Sequence, residues 1–201
     1  KGAFTALLRQ KLESAGMKYS ITNLKSSEQM FSKAFSRSQQ NVVVLNTGRS
    51  PELNVAFAKL NSLKAMDPSV TISMYGYTEW LMYTKVYLEL YHKYDTYIPT
   101  TFYYNPMDSE TAKVDNEYRR WFHSDMQTAL PRFALTGYDH GQFFLRGYKK
   151  YGKRFEGARW QNGYISLQNQ LKFVKTGSKG GMQNSGFMLV HYRSGGGAET
   201  I

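Results

Sequence analysis

Apolar residues in the first quarter of the chain repeat at helical spacing in some segments and at strand spacing in others. They recur every three or four positions over residues 4–15, which predicts an amphipathic helix that Gly16 can end. Residues 18–24 predict a short strand, and residues 26–35 predict a second helix with an apolar side. The continuous apolar run at 42–45 is typical of a strand buried on both faces of a parallel sheet.

The next helix carries clear signals at its start. Ser50 suits the N-cap and Pro51 suits the first helical position. Its expected buried stripe is formed by Leu53, Phe57, Leu60 and Leu63. Apolar residues then alternate over 70–74, which predicts a strand, and Thr78 can cap a helix that follows it. This alternation of helices and strands predicts a mainly parallel sheet with right-handed crossovers.

The same order continues through the middle of the chain. Residues 97–104 predict a further strand, and residues 109–122 predict a helix with a polar outer face. We expect Trp121 or Phe122 to lie on the inner face of that helix. Residues 133–151 predict one more helix before the pattern changes.

Together these elements predict an α/β fold, a Rossmann-like three-layer sandwich with a mainly parallel sheet and a C-terminal β-hairpin. The hairpin is expected to join strands at 163–175 and 187–193 across a loop rich in Gly, Ser and Asn. We therefore expect one α/β domain at 1–156, a hairpin extension packed on it at 157–194, and a flexible tail at 195–201.

Composition narrows the function classes only slightly. The chain has 201 residues and a net charge of +11, which is compatible with an anionic partner. Its Lys and Arg residues are dispersed and accompany no RNA-binding aromatic motif, so we expect no nucleic-acid binding. A solvated basic face and attraction to an anionic envelope polymer are the better alternatives. With no cysteine, disulfides, thiolate chemistry and cysteine–zinc sites are excluded.

Candidate chemistry in the sequence favours binding over catalysis. There is no Gly-x-Ser-x-Gly elbow, and the four histidines lack metal-ligand spacing. The Gly-rich stretch at 177–181 lacks the spacing of a phosphate-binding loop. Tyr138-Asp139-His140 places an acid beside an imidazole, but neighbours on a helix point to different faces. We therefore expect a protein that is not an enzyme and that uses no cofactor or metal.

Polar residues follow two of the predicted strands at the end where parallel sheets bind ligands. Arg49 beside a helix N-terminus would favour a carboxylate or phosphate. The alternative for each residue is structural, with Ser50 only a cap, Arg49 a solvated charge and Trp80 a packing residue. The candidate ligand-binding residues are Thr47, Arg49, Ser50, Gly76, Tyr77 and Glu79.

Several of these motifs, taken in order, resemble a known family. The run Asn-Val-Val-Val-Leu at 41–45 and Gly-Tyr-x-Glu-Trp at 76–80 are similar to the second lobe of type I periplasmic solute-binding proteins, the Leu/Ile/Val-receptor class. Gly-Tyr-Asp at 137–139 lies in a segment that looks like that family's "Tyr-Asp" helix. Together with Tyr-Gly-Lys-Arg-Phe-Glu at 151–156, the stretch at 76–80 is most similar to an envelope branch from Bacteroidetes associated with LysM peptidoglycan-binding modules.

The resemblance implies a solute receptor of the periplasm or cell envelope that closes around a small polar, amino-acid-like or cell-wall-derived ligand. Its alternative is a structural or protein-interaction module that has lost ligand binding. Relative to the family, we expect this chain to be a fragment without the first lobe, and any peptidoglycan contact to come from LysM modules outside it. The Tyr-Asp helix is then expected to dock elsewhere, with a second copy in a homodimer as one candidate.

Overall fold

The computed structural model describes residues 2–201, which form two compact units. Unit 1 comprises the chain up to Ile98 together with His191–Glu199. Unit 2 comprises Pro99–Val190 together with Thr200–Ile201. The boundary after Ile98 differs from the expected domain at 1–156, because the chain up to Ile98 and a late segment together form the first unit.

The first unit begins with helices and parallel strands in the predicted order. Ser27 accepts a hydrogen bond from the Met30 N–H and caps the second helix. Asp67 ends the third helix, whose predicted stripe is buried. The α-helices are α1 (Ala3–Ser14), α2 (Glu28–Ser32), α3 (Ser50–Met66) and α4 (Thr84–Lys93), the strands are β1 (Asn41–Val44), β2 (Ile72–Tyr75) and β3 (Thr96–Thr100), and a 3₁₀ helix spans Thr78–Tyr83.

The remaining elements follow in the second half of the chain. The predicted helix at 133–151 is confirmed with the same bounds, and Gly152 follows it with a positive φ of 57°. The elements are α5 (Ser109–Phe122), α6 (Phe133–Tyr151), α7 (Gly157–Trp160), β4 (Phe173–Lys175), β5 (Met182–Asn184), β6 (Met188–Tyr192) and β7 (Ala198–Thr200), with 3₁₀ turns at Gly152–Arg154 and Gln161–Gly163.

The fold is mixed α/β with a mostly parallel central sheet and a small antiparallel sheet, which confirms the α/β class. The central sheet has the order β1-β2-β3-β6-β7, and β1, β2 and β3 pair in parallel. Asn41 aligns with Ile72 and Val44 with Tyr75. Leu189 and Ile201 exchange both backbone hydrogen bonds, at 2.9 Å each, which is the pattern of an antiparallel pair.

The antiparallel hairpin in the structure pairs different strands from the predicted one. Strand β4 pairs antiparallel with β5 rather than with the strand at 187–193, which is β6 of the central sheet. The tail at 195–201, expected to fray, instead includes strand β7. Gly195, Gly196 and Gly197 all have positive φ, so they form the turn that lets β7 return beside β6.

Three predictions about burial or local structure are wrong. Residues 18–24 form no strand; in that segment Tyr19 donates a 2.6 Å hydrogen bond to Glu13, and its neighbours are exposed. Strand β1 is not buried on both faces: it lies at the sheet edge, and Val42 is 65% exposed. Trp121 and Phe122 also face outward, at 75% and 65% exposed, because the inner face of α5 ends with Val114 and Tyr118.

The core of unit 1 is aromatic. The Trp80 ring stacks on Tyr91 with centroids 6.2 Å apart, and Tyr91 also contacts Tyr192 at 5.3 Å. Phe57 stacks on Tyr94 at 5.8 Å. Burial raises the pKa of Tyr94 to about 12 and raises that of Tyr91 further, so both phenols stay protonated donors. Tyr91, Tyr94 and Tyr192 are therefore core residues of this unit.

Unit 2 has a smaller core between its two long helices. Val114 of α5, Leu135 of α6 and Met126 of the intervening loop are buried together. Tyr104 and Tyr118 pack against them. Across residues 2–201, no helix is long and apolar enough to cross a lipid bilayer.

Candidate functional site

The loops that follow β1 and β2, which carry candidate ligand-binding residues, lie together in unit 1. The Tyr77 hydroxyl donates to the Asn46 Oδ1 at 2.6 Å. The Trp80 indole Nε1 donates to the Thr47 carbonyl oxygen at 2.9 Å. The carboxyl ends of β1 and β2, which pair in parallel, bring these loops to the same edge, so their contact follows from the sheet.

The space between these loops is filled by protein side chains. Trp80 is fully buried, and a Cβ at Gly76 would overlap its ring, which explains why glycine stands there. Glu79 lies against Gly48, where an added Cβ would come within 3.1 Å of the carboxyl carbon. The structural alternative for Trp80, packing, is what the geometry supports.

Arg49 and Ser50 are arranged differently from the prediction. Arg49, not Ser50, is the N-cap of α3, and its side chain makes no capping hydrogen bond. Ser50 is the first residue of the helix, and its hydroxyl lies 3.0 Å from the Tyr87 hydroxyl. Arg49 pairs with Glu52 at 3.2 Å on the exposed surface. The predicted cap at Ser50 is therefore wrong, because the hydroxyl has a tertiary partner instead.

Thr78 and Glu79 also begin a different element. The segment after β2 is the 3₁₀ helix Thr78–Tyr83, and its N-cap is Tyr77, without a side-chain capping bond. The α-helix predicted there starts only at Thr84. The tighter winding of this 3₁₀ helix places Trp80 and Leu81 in the core, where both are buried.

A polar cluster in unit 1 was missed by the sequence analysis. His191 of β6 contacts Asp95 through Nε2 at 2.8 Å and Glu199 through Nδ1 at 3.3 Å. Tyr97 stacks on the imidazole with centroids 4.0 Å apart. The Ser73 hydroxyl donates to the second Asp95 oxygen at 3.0 Å. These residues lie far apart in the chain, so no sequence spacing could have indicated them.

The cluster is built like a structural hydrogen-bond network. Burial raises the pKa of Asp95, but hydrogen bonds from His191 and Ser73 outweigh it and hold that pKa below its usual value. A nucleophilic serine needs a base on its own hydroxyl, whereas Ser73 bonds the carboxylate and not the imidazole. In this geometry the cluster fixes β6 beside Asp95, the residue that precedes β3. Asp95 itself has a left-handed φ of 43°.

Unit 2 contains a polar cavity of about 400 Å³, within the size range of small-ligand sites. Arg119 on one wall pairs with Asp115 at 2.7 Å and with Asp125 at 2.9 Å. On another wall the Arg132 guanidinium lies over the Tyr104 ring, 5.0 Å from its centroid, and its Nε donates to the Tyr104 hydroxyl at 2.7 Å. The cavity is also lined by Pro106, Thr111, Ala112, Asn116, Met126, Thr128 and Leu135.

Arg132 is held in place by a buried hydrogen-bond network. Gln168 is almost fully buried and clamps the Arg132 backbone, accepting from its N–H at 3.0 Å and donating to its carbonyl at 3.1 Å. Gln168 is in turn fixed by Asp139 of α6, which accepts its backbone N–H at 2.8 Å. Neither helical nor strand periodicity could have indicated this wall, because Arg132 precedes α6 and Gln168 lies in an irregular segment.

Asp139 is the centre of that network and is fully buried. Its two oxygens accept backbone N–H groups from Leu167, Gln168 and Asn169 at 2.7–2.9 Å. They also accept the Tyr164 hydroxyl at 3.2 Å and the Asn169 side-chain amide at 3.2 Å. Burial raises the pKa of Tyr164, and the charge of Asp139 raises it further. The Tyr164 hydroxyl therefore remains a hydrogen-bond donor. Asp139 thus orders residues 164–169.

The chain is thus a mixed α/β protein with a closed crevice in unit 1 and a polar cavity in unit 2. No protein family model matches the chain, and no curated protein matches it. Among residues 2–201, no group of three His, Asp or Glu side chains is placed to hold a metal ion.

Proposed function

We propose that the chain is a non-enzymatic interaction domain of a bacterial cell-envelope protein, with a second copy of itself as the partner. The observation that carries this proposal is the filled crevice: the buried Trp80 ring occupies the space in which a receptor would hold its ligand. The envelope location, and any peptidoglycan contact made by LysM modules, rest on the family resemblance alone.

Strand β1 supports a partner at the edge of the sheet. It is the first strand in the sheet order, and an edge strand presents unpaired backbone groups to other chains. Val42 and Val44 on this strand are exposed, and apolar side chains on an open edge favour pairing with a like strand. In a homodimer the two copies of β1 would pair about a twofold axis.

Analytical ultracentrifugation of the full chain tests this role. We expect a concentration-dependent dimer, and we expect Val42→Lys to weaken it at least tenfold because a lysine on an edge strand opposes pairing. The matched control is Val55→Lys, which adds the same charge at an exposed position of α3. A chain that stays monomeric at 200 µM (a concentration of order 10⁻⁴ M, at which even weak pairs form), or that dimerises equally well with Val42→Lys, would refute the proposal.

Solute binding is a second candidate function, and the cavity of about 400 Å³ in unit 2 favours it. Calorimetry of the full chain with amino acids, muropeptides and small glycans would test it. If a ligand gives a heat of binding and Arg132→Gln abolishes it, binding in the unit 2 cavity is supported. If Arg49→Ala abolishes the heat of binding instead, the ligand binds in the unit 1 crevice, and the interpretation of that crevice as closed is refuted.

A further inference from the structure

The cavity in unit 2 has an uneven distribution of charge. Arg119 is shared by Asp115 and Asp125, so that side carries two carboxylates around one cation. Among residues 2–201, no carboxylate forms an ion pair with Arg132. The two basic residues of the cavity therefore differ, because one is neutralised by protein groups and the other is open to an anion from solution.

The side chain of Arg132 is also held in a fixed position by its neighbours. Its guanidinium is stacked on Tyr104 and held by the Tyr104 hydroxyl, while Gln168 clamps its backbone. Fixing a long side chain before a ligand arrives reduces the entropy lost on binding. A guanidinium that uses Nε for the protein keeps its outer N–H groups for a ligand, and these groups match a carboxylate.

The acidic side of the cavity limits the charge of the ligand. Asp125 is highly exposed, with a side chain 81% accessible, so water screens it, whereas Asp115 is mostly covered at 27%. A dianion such as sulfate would meet this excess negative charge, and a monoanion would meet less of it. Asn116 and Thr128, also on the cavity wall, offer uncharged hydrogen-bonding groups.

From this arrangement we infer that the unit 2 cavity binds a small organic monocarboxylate that carries hydroxyl groups, with Arg132 as its carboxylate-binding residue. This inference rests on the second candidate function, solute binding, and is independent of the proposed dimer. Tyr104 acts as a positioning residue for Arg132, and the Asp115–Arg119–Asp125 group excludes dianions.

Titration of the isotope-labelled full chain with sodium lactate, followed by NMR, tests the inference. Lactate is expected to give saturable shifts at the backbone amides of Thr111, Asn116 and Thr128. Lactamide, a neutral molecule of almost the same shape, and sulfate, a dianion, are each expected to bind about tenfold more weakly or worse. Equal shifts from lactate and lactamide would leave solute binding intact and overturn the role of charge. No saturable shift from either molecule would overturn both.

Variants separate the cavity from the rest of the surface. Arg132→Gln is expected to weaken lactate about tenfold or more, since it removes a charge-assisted hydrogen-bond donor. The matched control Arg146→Gln removes an exposed charge from α6 and is expected to leave lactate affinity within about twofold. Asp115→Asn removes the less exposed carboxylate of the cavity and should strengthen lactate binding, so the inference stays testable even if Arg132→Gln unfolds. Unchanged or weaker binding by Asp115→Asn, or unchanged binding by a folded Arg132→Gln, would overturn it.

Discussion

Replacing Asp139 with asparagine tests whether one buried carboxylate orders unit 2. The change keeps the shape of the side chain but turns one acceptor oxygen into an NH₂ donor. One oxygen accepts from Tyr164 and Leu167, and the other accepts from Gln168 and from two groups of Asn169. Whichever way the amide turns, buried backbone N–H groups lose their acceptor, either that of Leu167 or those of Gln168 and Asn169.

The cost follows from the groups left without a partner. We expect the free energy of unfolding to fall by about 3–5 kcal/mol, because hydrogen bonds to a charged acceptor are lost and buried donors are left unpaired. This is a large part of the 5–15 kcal/mol typical of a domain. Urea denaturation followed by tryptophan fluorescence measures the loss, and amide hydrogen exchange should show faster opening at residues 167–169.

Asp125→Asn is the matched control, because it makes the same chemical change at an exposed ion pair with Arg119. It is expected to cost less than about 1 kcal/mol. If Asp139→Asn lost less than about 1 kcal/mol, or if exchange at 167–169 stayed as slow as in the unsubstituted chain, the carboxylate would not be the organising group.

Two further predictions concern unit 1. Gly76→Ala should lower the free energy of unfolding by about 1–3 kcal/mol and alter Trp80 fluorescence, because the added methyl group overlaps the indole ring. The control is Gly137→Ala, which has open space around it and should be neutral or stabilising on thermal unfolding. Asp95 has a lowered pKa in the folded state, so its contribution is present above the ordinary value of about 3.9 and is lost as pH falls below it. The stability gap between the unsubstituted chain and Asp95→Asn should therefore narrow as the pH falls below about 4 in urea titrations, and a gap that stayed constant or widened there would contradict the lowered pKa of Asp95.

Local periodicity predicted much of the secondary structure, because it is read within a few residues. The bounds of α6 and the buried stripe of α3 are examples. Burial was harder to predict, since it depends on where an element lies in the sheet. Val42 looks like a core residue in the sequence, yet it is exposed because β1 is at the edge.

The candidate sites were predictable only where the sheet brings loops together. Parallel pairing of β1 and β2 placed Thr47 beside Trp80, as expected from the strand ends. The sequence could not show that the Trp80 ring fills the gap, since the same residue type suits a binding wall or a core. Arg132 and Gln168 are 36 positions apart, and only the folded chain pairs them.

The position of Asp139 in the chain also sets an order for synthesis. Its backbone partners lie 28–30 residues further on, at Leu167, Gln168 and Asn169. On the ribosome, helix α6 can form as soon as it emerges, but its carboxylate remains hydrated until those residues are made. Any chain that stops short of Asn169 would keep a charged group on the face of α6 that is meant to be buried. Unit 2 therefore reaches its native packing only after residues 167–169 have emerged.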